Sequence, residues 1–190
     1  MFTSLRPAIT LLALFTLITG IVYPLAVTAA AQAAFPVQAN GSLIEQNGRV
    51  LGSRLIAQPF DQERYFWGRP SATSPWPNNA SASTGSNVGP TNPALSTAVN
   101  ERVAALRAAS PAQGATAIPV DLVTSSGSGL DPHVSPAAAL FQVQRVALAR
   151  GLSEDRVRSL VEEHTEPRSF GIWGEPRVNI LLLNMALDGL

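Results

Sequence analysis

The 190-residue sequence carries thirteen basic and thirteen acidic residues, a net charge of zero with histidine neutral. That balance excludes a whole-chain field able to gather nucleic acid or polyanions, so no nucleic-acid partner is expected. Every basic residue is an arginine and there is no cysteine, which removes P-loop and Schiff-base lysines, thiolate nucleophiles, disulfides and cysteine-bound metals from consideration.

No residue from Pro7 to Ile44 is charged. The Ile9 to Ala31 run is nearly continuous Ile, Leu, Ala, Phe and Val, and as a helix rising ~1.5 Å per residue it covers roughly 30 Å, the depth of a bilayer core. Arg6 precedes it and the next positive charge is Arg49, so the positive-inside bias puts the N-terminus in the cytoplasm and everything after about Phe35 outside. Residues 1–34 are therefore expected to form one transmembrane helix with a short cytoplasmic tail, and residues 35–190 a single extracytoplasmic domain. Ala31-Gln32-Ala33 also fits a signal-peptide cleavage pattern, but the apolar run exceeds the ~7–15 residues of a usual signal core, which favours a retained anchor. Gly20 and Pro24 lie inside it. A proline there removes one backbone donor and frees the Gly20 carbonyl, which points to a kinked or closely packed helix.

In the soluble part, Asn47-Gly48 between Ser42-Leu43-Ile44 and Val50-Leu51 predicts a hairpin. The stretch from Arg69 to Pro93, rich in Ser, Pro, Asn and Gly, predicts a long loop. Asn92-Pro93 reads as N-cap and first helical residue of a helix ending near Ala109, with Leu95, Val99, Arg102, Val103 and Leu106 at helical spacing. Ile118 to Val123 predicts a short buried strand. Ser135-Pro136 opens a helix closed by Gly151, and Ser153 caps the next, whose Val157, Leu160, Val161 and His164 share a face. Glu175-Pro176 is expected to start a last, almost wholly apolar helix, too short to span a bilayer and thus a central core helix. The fold class is α+β, a small sheet with about four helices.

Ser126, Gly127, Ser128, Gly129, Asp131 and His133 place a hydroxyl, a carboxylate and an imidazole close in sequence, the composition of a hydrolase site using Ser128, Asp131 and His133. The nucleophile-elbow pattern Gly-x-Ser-x-Gly is not met, because Ser126 stands two residues before Ser128. The same loop could cradle an anion through successive amides, yet neither it nor Gly85-Ser86-Asn87-Val88-Gly89 has the Walker pattern. The plainer reading makes it a tight turn with Asp131 capping its own backbone and His133 pairing locally. Two histidines and dispersed carboxylates give no metal-binding spacing, so no metal and no catalytic residue are expected. Tyr65-Phe66-Trp67 with Arg69 forms an aromatic cluster that could bind a partner or seal the hairpin.

Taken together, these blocks resemble the C subunit of the Kdp potassium-transporting P-type ATPase. The resemblance runs nearly end to end through Leu5-Arg6-Pro7-Ala8, Thr19-Gly20 with Tyr23-Pro24-Leu25, Gln38 to Leu43, Tyr65 to Ala72, Gly85-Ser86-Asn87 and Asn92-Pro93. Its most specific stretch is Asp121 to Ala138, followed by Arg145-Val146-Ala147 and Gly174 to Asn179. Thr84 departs from the glycine usual in the family. The resemblance implies an accessory, non-catalytic subunit in the inner (plasma) membrane, partnered by a potassium-binding channel-like subunit and an ATP-hydrolysing P-type subunit. The family is described as supporting assembly and as a catalytic chaperone that raises the ATP affinity of the ATP-hydrolysing subunit. No tightly bound cofactor is implied, only an association with ATP. The chain lacks the Asp-Lys-Thr-Gly phosphorylation motif and so cannot be the motor.

Overall fold

The structure is a computed structural model that describes residues 4–190. The chain divides into two compact units, Met1–Leu51 and Gly52–Leu190.

In the first unit a helix long and apolar enough to cross a membrane runs over Leu5–Ala34. It comprises α1 (Leu5–Leu17), a π-helical segment Ile18–Val22 and α2 (Tyr23–Ala34). The π segment has a local cause. Pro24 has no N–H to return to the Gly20 carbonyl, and the widened turn accommodates its ring while the Tyr23 N–H donates to the Ile18 carbonyl. The short α3 (Pro36–Ala39) follows, with Asn40 and Gln32 exchanging side-chain hydrogen bonds of 3.1 and 3.2 Å. The expected hairpin is present as β1 (Leu43–Gln46) and β2 (Arg49–Ser53), β2 crossing the unit boundary. Asn47 and Gly48 have φ of 53° and 73°, the two left-handed positions of a tight hairpin turn.

The second unit holds α4 (Pro93–Ala109), β3 (His133–Val134), α5 (Pro136–Arg150), α6 (Glu154–Glu163), β4 (Thr165–Glu166), β5 (Arg177–Asn179) and α7 (Ile180–Asp188). Strand β5 is central in an antiparallel β3-β5-β4 sheet, with Val178 opposite both Val134 and Thr165. The α+β class is as expected, built from two small sheets and a helical layer in which α5 packs on α6 and α6 on α7. The helix starts follow the capping residues. Asn92, Ser135 and Ser153 accept from the N–H groups of Ala94, Ala138 and Arg156, and Gly151 closes α5 in the left-handed conformation.

Two elements differ from expectation. Ile118 to Val123 forms no strand: Val120–Leu122 is a 3₁₀ turn, started by Pro119 and tightened by bonds from Leu122 N–H to Pro119 and from Thr124 N–H to Val120. The last helix begins at Ile180 rather than at Glu175-Pro176, because Arg177–Asn179 pair in the sheet and the Asn179 side chain caps Leu182 N–H. Its expected core position holds, with Ile180, Leu181, Leu183, Asn184 and Leu187 buried. His164 is half-buried at the end of α6, with Nδ1 2.9 Å from the Leu160 carbonyl.

The core contains Phe66, Val134, Ala138, Val143, Val146, Val157, Val161, Val178, Leu183 and Leu187. Phe66 reaches it from an irregular extended segment, so the segment's backbone polar groups must be satisfied without a neighbouring strand. Side-chain amides satisfy them. Asn184 on α7 accepts from Phe66 N–H at 2.9 Å and donates to Phe66 C=O at 3.0 Å. Gln142 on α5 accepts from Trp67 N–H at 2.8 Å and donates to Trp67 C=O at 3.1 Å. Arg145, one turn on, donates to Gln142 Oε1 at 2.7 Å, to the Tyr65 carbonyl at 3.0 Å and to the Glu63 carbonyl, and covers the Trp67 ring at 4.1 Å. Burial pushes the Arg145 guanidinium down to about 10, with nearby Glu63 opposing the fall, so it remains charged at neutral pH. The aromatic cluster is therefore a core anchor gripped by two helices.

Asn184→Leu keeps the volume but strands two buried backbone groups, and should destabilise the domain by about 2–4 kcal/mol. Urea denaturation of the full chain in detergent, followed by tryptophan fluorescence, measures the loss.

Candidate functional site

The sequence-predicted loop lies at the centre of the second unit's irregular half. Its carbonyls are taken by surrounding segments. Ser128 C=O accepts from Thr84 N–H and Ser83 Oγ, both at 3.0 Å, and Gly129 C=O accepts from Ser71 Oγ at 2.7 Å and Asn78 Nδ2 at 3.2 Å. Leu130 C=O accepts from Ala57 N–H at 2.9 Å, and the buried Ser126 donates its N–H to Pro70. The long loop from Arg69 to Pro93 is thereby ordered by named bonds, extended internally by Thr73 Oγ1 and the buried Asn79.

Gly129 shows why the turn needs glycine. Its φ is +68°, and a Cβ there would sit 2.6 Å from Thr73 Cγ2 and 2.7 Å from the Thr84 carbonyl. Gly127 differs, since a Cβ would meet nothing within 4 Å. Thr84, the family departure, keeps its backbone bond to Ser128 through its N–H, which does not depend on the side chain.

Asp131 and His133 are brought together; Ser128 is not. Asp131 Oδ2 accepts from Arg69 Nη1 at 3.1 Å, and its Oδ1 accepts from His133 N–H at 3.0 Å with His133 Nδ1 3.5 Å away. Ser128 Oγ instead accepts from Leu130 N–H at 3.1 Å inside its own turn. The Ser-His link of a hydrolytic triad is not formed, and the hydrolase reading finds no support. Burial pushes the Asp131 carboxyl up, but hydrogen bonds from His133 and Arg69 outweigh it and hold the group below its ordinary value.

Three residues that carry much of this arrangement are not among the site residues expected from the sequence. Arg69 bridges Asp131 and the Ser125 carbonyl, and Arg102 on α4 donates to the Val123 carbonyl at 2.9 Å and to Ser125 Oγ at 3.3 Å. Asp121 accepts from Ser135 N–H at 2.7 Å and Ser135 Oγ at 3.2 Å, tying the 3₁₀ turn to the start of α5. Arg69 was legible only as a neighbour of the aromatic cluster, and Arg102 only as a helical position. Arg69 also lines two recesses. One, about 390 Å³, is lined mostly by charged and polar residues, among them Asp121, Asp131, His133, Ser135 and Arg177. The other, about 350 Å³, is walled by Phe60, Trp67, Pro70, Leu106 and Leu122. Among the described residues no group of three or more His, Asp or Glu is placed to hold a metal ion. The arrangement fixes loops and presents charge; it supplies no activated nucleophile.

Gly129→Ala should cost about 2 kcal/mol or more through backbone strain and contact, while Gly127→Ala should stay within about 0.5 kcal/mol. Because the Asp131 carboxyl is lowered, its stabilising effect is complete above about pH 4 and is lost as pH falls through the lowered value. Urea titrations at a series of pH values should show the native chain losing stability below about pH 4 more steeply than Asp131→Asn.

The chain has relatives that are similar in sequence over nearly its whole length. The family described as "KdpC: K+-transporting ATPase, c chain" matches residues 5–189. The potassium-transporting ATPase KdpC subunit of Sorangium cellulosum (strain So ce56) is 65% identical, with 100% of this chain and 99% of that protein covered. The KdpC subunit of Methylococcus capsulatus (Bath) is 60% identical with 100% of both chains covered, and that of Herpetosiphon aurantiacus 60% identical with 99% and 97% covered. The chain belongs to the KdpC family, the c chain of the K+-transporting ATPase.

Proposed function

We propose that the chain is a non-catalytic accessory subunit of an ATP-driven potassium uptake complex, supporting assembly and raising the ATP affinity of the ATP-hydrolysing subunit. The observation that carries this reading is the end-to-end family match, residues 5–189, on a chain whose membrane-length helix is included in it. Its partners would be a potassium-binding channel-like subunit and a P-type subunit that hydrolyses ATP, together in the inner membrane. The absence of any lysine from the sequence supports an accessory role, because the phosphorylation motif of the motor needs one.

Arg6 before the helix and an uncharged stretch after it support a cytoplasmic N-terminus and an extracytoplasmic domain. A domain so placed does not meet cytoplasmic ATP. Its effect on the nucleotide site must then pass through subunit contacts or the membrane helix as a coupling free energy, typically about 1–3 kcal/mol and so about 5–150-fold in affinity. Gly20 and Pro24 suit a helix that does more than tether. A Cβ at Gly20 would meet nothing within 4 Å in this chain, leaving a smooth patch where another helix backbone can approach.

Reconstitution of the complex with and without this chain tests the reading: omission should raise the ATP concentration needed for half-maximal hydrolysis. Unchanged ATP dependence together with unchanged assembly would contradict it. Gly20→Ile and Pro24→Leu should lower recovery of the other subunits in pull-downs, whereas Ser128→Ala should leave recovery and ATP dependence near wild type. A C-terminal reporter active only in the cytoplasm would overturn the orientation.

A further inference from the structure

The tip between β4 and β5 has no part in the core or in the loop cluster around Asp131. Phe170, Ile172 and Trp173 there are 89%, 70% and 67% exposed. Their backbone is nonetheless fixed. Ser169 N–H donates to the Trp173 carbonyl at 2.8 Å and Trp173 N–H to the Ser169 carbonyl at 3.0 Å, with Phe170 and Gly171 at φ of 53° and 74°. The Phe170 and Trp173 rings meet edge to face, centroids 6.0 Å apart. Below the tip, Arg168 pairs with Glu175 at 2.6 Å and Arg177 with Glu166 at 3.0 Å. Three large apolar side chains held out on a stiff turn mark a contact surface.

We propose that this tip inserts into the interfacial layer of the lipid bilayer, giving the domain a second membrane contact besides the helix. The bilayer is the partner that the chain's own sequence calls for, since Leu5–Ala34 is built to cross one. Residues 35–51 span at most about 60 Å even when fully extended, so the second unit is confined near a bilayer surface. Trp and Phe above a polar collar are the side chains that settle at the headgroup level, the indole N–H meeting polar groups while the rings enter the acyl boundary. The collar charges cancel pairwise, so the attraction is apolar and insensitive to salt and to anionic lipid. A weak partition suffices, because tethering makes the second contact intramolecular.

The cysteine-free sequence makes the test direct. Ile172→Cys introduces a unique thiol for an environment-sensitive fluorophore, and Ala104→Cys on the exposed face of α4 serves as control. The full chain is reconstituted into phosphatidylcholine vesicles, with and without lipids brominated near the top of the acyl chain. The label at Ile172→Cys should be quenched several-fold more than the control, unchanged between low and high salt. Adding Phe170→Ser and Trp173→Ser should reduce the quenching to the control level. Equal quenching at the two positions overturns the proposal, as does quenching that salt abolishes. Shielding of the Ile172→Cys label that needs the other subunits and is insensitive to brominated lipid also overturns it, in favour of docking on a protein.

Discussion

An extended backbone pressed between two helices has no strand to pair with, and each buried N–H or C=O left alone would cost about 1–3 kcal/mol. Here Gln142 and Asn184 act as single-residue strand substitutes, each amide presenting one acceptor and one donor to the same residue's N–H and C=O. The grip fixes α5 and α7 to residues 66–67 and drives the Phe66 ring into the core. Arg145 completes it by donating to the Glu63 and Tyr65 carbonyls that precede the gripped pair and by lying on the Trp67 ring. The buried cation is held by Nη1, which donates to carbonyls, and by Nη2, which donates to the Gln142 amide oxygen, while its Nε finds no partner among the described residues.

The segment just beyond Trp67 runs from that grip into the loop cluster. Arg69, two residues on, reaches Asp131 and Ser125; Ser71 and Asn78 reach Gly129. The irregular half of the domain is thus two glycine- and serine-rich loops bound carbonyl by carbonyl to each other, not a disordered lid. Such a construction holds the surface of this half in one shape. It also explains why Ser128, Asp131 and His133, although close in sequence, carry no triad. The serine is spent on its own turn and the aspartate on a guanidinium.

Elements governed by local chemistry were legible in the sequence: the membrane-length helix, the Asn47-Gly48 hairpin, and the helices begun by Asn92, Ser135 and Ser153. Errors arose where tertiary pairing overrode local signals. Glu175-Pro176 looks like a helix start, but Arg177–Asn179 are drawn into the sheet by β3 and β4, and Asn179 becomes the cap instead. Ile118 to Val123 has strand composition, yet Pro119 and the need for Asp121 to reach Ser135 bend it into a 3₁₀ turn. Gln142 and Asn184 left one faint signal, an uncharged amide on an otherwise apolar helix face. Nothing in one-dimensional spacing tells which distant backbone such an amide will meet.

The organising role of the grip is most directly measured by native-state hydrogen exchange on the full chain in detergent, read at the amides of Phe66 and Trp67. Both should exchange only through global unfolding, among the slowest amides of the domain and as slow as those in the middle of α5. Exchange at the rate of the exposed tip around Phe170 would show that the two amides are not closed by Gln142 and Asn184, and would contradict the account.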